Sequence, residues 1–147
     1  MHSIHILLVE DNEGDILLTK EALNQGIIVE TISVVKDGKE AIKYLEKVGP
    51  YSESVIPDLI ILDINLPKMN GHEVLKNIKG NDNFKQIPVV MFTTSSTEKD
   101  IMDAYKNHAN CYITKPNEVD DFLKTVTLIK NFWISIVHLP TTNHPIK

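Results

Sequence analysis

At 147 residues, 42% hydrophobic and 24% charged, the chain suits one soluble domain with a substantial core. Its net charge of −5, with 15 scattered Lys and Arg against 20 Asp and Glu, argues against broad nucleic-acid binding. A single cysteine, Cys111, rules out an intramolecular disulfide, and no apolar run approaches the roughly 18 residues of a membrane span. The N-terminus shows no secretory pattern, so a cytoplasmic protein is expected.

Short β-branched runs alternate with longer segments of helical period. A first strand over residues 4–10 leads into a helix over 14–25, stopped by Gly26. A second strand over 28–35 turns at Asp37-Gly38 into a helix with Ala41, Ile42 and Leu45 on its inner face, ended by Gly49-Pro50. A long connection reaches the all-apolar third strand, Leu59-Ile60-Ile61-Leu62, and Asn70-Gly71 opens a helix facing inward through Val74, Leu75 and Ile78. A polar loop over 80–86 precedes the fourth strand, 87–92. Ser95 and Glu98 stand at capping-box spacing before a helix that carries Ile101, Met102 and Tyr105. The fifth strand is 110–114, in which Cys111 is read as a small buried hydrophobe. Asn117 is the expected cap of a last helix with Val119, Phe122, Leu123, Val126 and Ile129 inward, and with Lys124 and Lys130 on its wet side. Five strands alternating with five helices make an α/β fold, a doubly wound parallel sheet with helices on both faces.

In such a sheet ligands sit beyond the carboxyl ends of the strands. Those ends are polar in complementary ways: Glu10-Asp11, Asp63, Thr93-Thr94 and Lys115-Pro116. Three carboxylates, a hydroxyl and an ammonium on one edge suit Mg2+ and a phosphoryl group, since Mg2+ takes oxygen ligands and needs only one or two carboxylates. Each residue has a plainer reading. Asp11 or Asn12 would serve as a helix cap, Asp63 as a strand-terminating acid, Thr93 as a structural hydroxyl and Lys115 as a solvated charge. A cis bond before Pro116 would aim Lys115 into the site.

Leu8-Val9-Glu10-Asp11-Asn12, Ile61-Leu62-Asp63-Ile64-Asn65-Leu66-Pro67, Asn70-Gly71, Phe92-Thr93-Thr94-Ser95 and Tyr112-Ile113-Thr114-Lys115-Pro116 resemble the receiver domain of two-component response regulators. The stretch 10–15, Thr93-Thr94-Ser95, residues 110–115 and the Phe132-Trp133 ending are similar to stand-alone receivers that partner bacterial phytochromes. With no second domain visible in the pattern, a receiver over residues 1–137, a flexible tail over 138–147 and no output domain are expected. The resemblance covers roughly residues 4–130 and implies a flavodoxin-like strand order 2-1-3-4-5. It implies that Asp63 is the phosphoacceptor, and that Asp11, Asp63 and the Asn65 backbone carbonyl ligate Mg2+ while Glu10 acts through water. Thr93 and Lys115 would contact the phosphoryl group, with Thr93 and Tyr112 forming the switch. Glu10 stands where many receivers have Asp. Asn65 and Ser95 would flank the approach of water and set the rate of dephosphorylation. The expected partners are a sensor histidine kinase, in the narrower reading a bacteriophytochrome, and a downstream protein, with neither DNA nor membrane bound directly.

A phosphatase with an aspartyl nucleophile is the main rival, but it needs a general acid two residues after Asp63, where this chain has Asn65. A flavin or nucleotide module lacks a phosphate cradle, because the loop after the first strand is acidic rather than glycine-rich. An interaction module with a vestigial site is the third alternative. No turnover of an external substrate is expected. The six histidines show no metal-ligand pairing and are expected to be solvated or incidental. Phe132 and Trp133 are expected to pack on the core flank, with a homodimer surface as the second reading.

Overall fold

Apolar runs of four or five residues can be buried on both faces only inside a sheet, and the computed structural model places them there. The structure describes residues 4–25 and 31–140. In chain order it contains β1 (His5–Val9), α1 (Glu13–Leu23), β2 (Thr31–Val35), α2 (Gly38–Glu46), β3 (Leu59–Leu62), α3 (Gly71–Lys79), β4 (Val89–Thr93), α4 (Glu98–Lys106), β5 (Cys111–Thr114) and α5 (Val119–Lys130). A 3-10 turn (Gly49–Tyr51) follows α2, and a π-helical turn (Asn131–Ile136) continues α5. The strands form one parallel sheet in the order β2-β1-β3-β4-β5, as the resemblance implies. The Gly26 stop, the expected strand start at Ile28 and residues 141–147 lie outside the described residues.

Successive strand residues point to opposite faces, so one sequence run feeds two cores. Leu7, Val9, Ile60, Leu62, Val89 and Met91 pack with Ala41, Leu45, Val74, Leu75 and Ile78 from α2 and α3. Ile6, Leu8, Leu59, Ile61, Val90 and Phe92 pack on the other side with Leu23 of α1 and Phe122, Val126 and Ile129 of α5. The Phe92 and Phe122 rings meet there at 5.2 Å in a tilted pair.

Several local expectations are corrected. Lys130 is buried, not on the wet side of α5, because it follows Val126 by one helical turn. Its aliphatic stem packs inward, and its ammonium donates to the Gln25 carbonyl oxygen, where the C-terminal end of α1 carries partial negative charge. Burial lowers its pKa. The cap of α4 is Thr97, whose Oγ1 accepts from the Asp100 amide at 3.2 Å; Ser95 lies two residues before that cap and uses its hydroxyl elsewhere. Asn117 does not cap α5, which starts one residue later than expected with Glu118 at the cap position. Asp120 and Asp121 still offset the dipole in its first turn. Met102 and Tyr105 are exposed, and α4 buries Ala104 instead. No described peptide bond is cis, so the turn at Pro116 is made with a trans bond.

Gly71 joins the fold to the edge where the strands end. A Cβ built there would lie 2.1 Å from the Asp63 carbonyl oxygen and 2.6 Å from Ile64 Cα, both backbone atoms that cannot step aside. The Gly71 amide also donates to the Ile64 carbonyl oxygen at 2.8 Å. This close approach seats the N-terminus of α3 against the end of β3. Gly71→Ala is expected to lose about 3 kcal/mol or more, measured by urea unfolding, because the clash forces main chain apart.

Candidate functional site

The parallel register delivers the polar strand ends to one edge. Val9 pairs with Leu62, so Glu10 and Asp63 emerge side by side, and the Asp63 amide donates to the Val9 carbonyl oxygen at 3.1 Å. Thr93 pairs with Thr114, and the Lys115 amide donates to the Thr93 carbonyl oxygen at 2.6 Å. Asn12 caps α1, its side chain accepting from the Asp15 amide at 2.9 Å. The capping role and the site role therefore fall on different residues, Asn12 and Asp11.

Lys115 is the hub. Its Nζ donates to Glu10 Oε1, to Asp15 Oδ2 at 2.8 Å and to Asp63 Oδ2 at 3.0 Å, using all three ammonium protons. The other oxygen of Asp63, Oδ1, accepts from the Ile64 amide at 2.7 Å, which fixes the plane of the carboxylate. Glu10 Oε2 accepts from the amides of Asp11 at 3.0 Å and Asn12 at 3.3 Å. Glu10, Asp63, Thr93 and Lys115 are buried, whereas Asp11 and Asn65 are exposed at the rim.

Glu10, Asp11 and Asp63 can each present a carboxylate oxygen within 4.8 Å of the others. An all-oxygen donor set with two buried members and one at the rim fits a hard divalent cation and gives it an entry side. Burial, reinforced by the charge of Asp63 and opposed by Lys115, pushes Glu10 from 4.5 to about 7. For Lys115 burial acts to lower the pKa, but hydrogen bonds to Asp15 and Glu10 and the charges of Asp63 and Glu10 outweigh it, and the net direction is up.

These shifts carry a pH dependence with a definite sign. Without metal, folded Glu10 keeps a proton that the unfolded chain has released above 4.5, so its contribution to stability is full below that value and is lost as pH rises through about 7. The unfolding midpoint in EDTA is expected to fall by a few degrees between pH 5 and 8. Glu10→Gln should remove that part of the decline, and saturating Mg2+ should suppress it by favouring the ionised carboxylate. Thermal unfolding across pH, with and without EDTA, checks both.

Tyr112 is partly buried, and its hydroxyl donates to the Ser95 carbonyl oxygen at 2.9 Å. It is thus already turned onto the loop between β4 and α4. The Ser95 amide reaches Thr93 Oγ1 at 3.4 Å. Two partners were missed in the sequence. Asp15 joins Lys115 across 100 residues of chain, and its sequence signals are its place at the end of the acidic stretch 10–15 and in the first turn of a helix that starts at the site edge. His72, expected to be incidental, has Nε2 on Asp100 Oδ1 at 2.9 Å, because α3 and α4 pack side by side. No local pattern announces that pair. Trp133 packs on the core flank as expected, while Phe132 stays half exposed. Cys111 is only partly buried, since β5 is an edge strand.

No described helix is long and apolar enough to cross a membrane. The family model for the response regulator receiver domain matches residues 6–127. Response regulator Rcp1 of Synechocystis sp. is 44% identical over 135 residues, covering 92% of this chain and 92% of its own length. Among the similar solved structures are two of high identity. One is the phosphorylated cyanobacterial phytochrome response regulator RcpA, at 45% identity and TM-score 0.92, covering 95% of this chain and 99% of that one. The other is the Mn2+-bound form of Rcp1, at 43% identity and TM-score 0.91, covering 94% and 99%. Sheet order, strand-edge chemistry and likeness along nearly the whole chain agree: this chain belongs to the response regulator receiver domain family.

Proposed function

We propose that the protein accepts a phosphoryl group on Asp63 from a phosphohistidine of a sensor kinase and signals through a changed protein surface. The observation that carries this reading is the buried Asp63 carboxylate held between the Ile64 amide and Lys115 Nζ, beside Glu10 and Asp11. Asp11, Asp63 and the Asn65 backbone carbonyl would hold Mg2+, with Glu10 reaching it through water. When bound, the cation offsets negative charge on the phosphoryl oxygens.

A carboxylate oxygen of Asp63 attacks phosphorus, the bond to the donor imidazole nitrogen breaks, and that nitrogen keeps the electron pair. The Ile64 amide orients the nucleophile. Lys115 supplies positive charge beside it, and the Thr93 hydroxyl, buried at the end of β4, is the donor for a phosphoryl oxygen. Asn65 has no proton to give or take as an acid, so the acyl phosphate is retained as a signal and no external substrate is turned over.

The similarity to phytochrome response regulators supports a phytochrome-type kinase as the donor. The downstream partner is a protein rather than DNA, in keeping with the net charge of −5. The half-exposed Phe132 is the element on which self-association would rest. The deciding experiment is incubation with acetyl phosphate and Mg2+, followed by intact-mass measurement. A gain of one phosphoryl group, abolished by EDTA, is expected. Steady hydrolysis of a phosphomonoester, or no gain at all, overturns the reading.

A further inference from the structure

Ser95 is a junction of three elements. Its amide reaches Thr93 Oγ1 at 3.4 Å, its carbonyl oxygen accepts from Tyr112 at 2.9 Å, and its hydroxyl donates to Asp100 Oδ2 at 2.5 Å. The first two bonds lead to residues of the switch. The third leads away from the site, into the first turn of α4.

Asp100 is fixed from both sides. Its backbone amide is held by Thr97 Oγ1 at 3.2 Å, and its second carboxylate oxygen, Oδ1, accepts from His72 Nε2 at 2.9 Å. Hydrogen bonds from Ser95 and then His72 hold its carboxyl below the ordinary carboxylate range, so it stays an anion and a strong acceptor. His72 is seated rather than waving in solvent: its ring is mostly covered, and Nδ1 is buried with no partner among the described residues. The residue before it is Gly71, whose backbone packs directly on the Asp63 carbonyl. A continuous circuit of contacts therefore runs from the main chain of Asp63, through α3 and His72, to Asp100, then Ser95, then Thr93 and Tyr112.

Such a circuit has a use at a site that must receive a phosphoryl group. In the long 3.4 Å contact the Thr93 hydroxyl accepts from the Ser95 amide, which leaves its O–H free to donate to a phosphoryl oxygen with little motion, provided the loop stays in place. Tyr112 needs the Ser95 carbonyl to remain where it is. A loop held beforehand does not have to be ordered when the phosphoryl group arrives. We propose that Asp100, braced by His72, is a positioning residue for phosphoryl acceptance at Asp63: it fixes Ser95, and through Ser95 the hydroxyl of Thr93 and the ring of Tyr112.

This rests on the phosphoacceptor reading of Asp63 and adds the part that keeps the receiving loop in register. It also separates two affinities. The carboxylates that would hold Mg2+ come from the ends of β1 and β3, which the circuit touches only through main chain, whereas the phosphoryl group needs the loop after β4.

The test is calorimetric titration of the full chain with Mg2+ alone, and then with beryllofluoride in saturating Mg2+. Asp100→Ala is expected to weaken beryllofluoride binding about 5- to 20-fold while changing Mg2+ affinity less than about twofold, the loss expected when a charge-assisted hydrogen bond is removed. His72→Ala should shift beryllofluoride binding in the same direction by a smaller factor. The double variant should be no worse than Asp100→Ala, because His72 acts through Asp100. Unchanged or tighter beryllofluoride binding in Asp100→Ala overturns the proposal, and so does an equal loss of Mg2+ affinity, which would mean general loosening. Should Asp100→Ala fail to fold, His72→Ala decides by the same criteria. A wild-type chain that binds Mg2+ but no beryllofluoride overturns the phosphoacceptor reading itself, and this proposal with it.

Discussion

Asp63→Asn is expected to end phosphoryl acceptance while leaving the fold in place. The amide has nearly the shape of the carboxylate, and its one oxygen can accept either from the Ile64 amide, now at 2.7 Å from Asp63 Oδ1, or from Lys115 Nζ, now at 3.0 Å from Oδ2. What disappears is the nucleophile, since an amide nitrogen or oxygen attacks phosphorus far too weakly to replace a carboxylate oxygen. With acetyl phosphate and Mg2+, the wild type should gain one phosphoryl group by intact mass and the variant none, a fall in rate of at least about 10³-fold. Stability in EDTA should hold or rise. Three carboxylates share the single ammonium of Lys115, and neutralising one relieves repulsion without orphaning the cation. A variant that still gains the full phosphoryl mass would move the acceptor to another carboxylate, Asp11 being the nearest exposed one.

That prediction could be framed from sequence because the features behind it are local. A run such as Leu59-Ile60-Ile61-Leu62 is buried on both faces or not at all, and the residue after it must emerge at the sheet edge. The same logic brought Glu10 and Thr93 to that edge, and the end of the less buried edge strand β5 brought Lys115 there. Helix starts at Asn70-Gly71 and Asp37-Gly38 were legible for a similar reason: cap chemistry acts within four residues. Apart from the caps misread at Ser95 and Asn117, the contacts that escaped join elements far apart in the chain. Lys130 looks like a surface lysine until α1 is known to end beneath it, and His72 looks idle until Asp100 arrives from another helix. Asp15 reads as a helix N-terminal acid and is one, but it is also the third anion on Lys115. Periodicity tells which face turns inward; it does not tell which polar atoms meet once the faces have packed.

Lys115→Met should be a strongly destabilising change at the site. Lys115 is buried, and its ammonium answers Glu10, Asp15 and Asp63 at once. Methionine fills nearly the same volume, so packing is largely kept and the effect is electrostatic. Removing the one cation leaves the Asp63 carboxylate buried without its ion-pair partner, and Glu10 as well once the pH exceeds its raised pKa, a loss of about 3–5 kcal/mol for a broken buried ion pair. In a chain of this size the midpoint of thermal unfolding in EDTA should fall on the order of 10 °C. Glu10, already raised to about 7, loses the partner that opposes its burial and should titrate higher still, extending the pH range over which stability declines. Saturating Mg2+ should recover most of the stability, because binding to the folded state supplies the missing positive charge. It should not recover phosphoryl acceptance, which is expected to stay at least about tenfold below wild type because the group beside the reacting carboxylate is gone. Unfolding and intact-mass measurements, each with and without Mg2+, separate the two roles. A variant as stable as wild type in EDTA would mean that these carboxylates do not depend on Lys115 for their charge balance. If Mg2+ restored both stability and phosphorylation, Lys115 would be reduced to a counter-ion that any cation can replace.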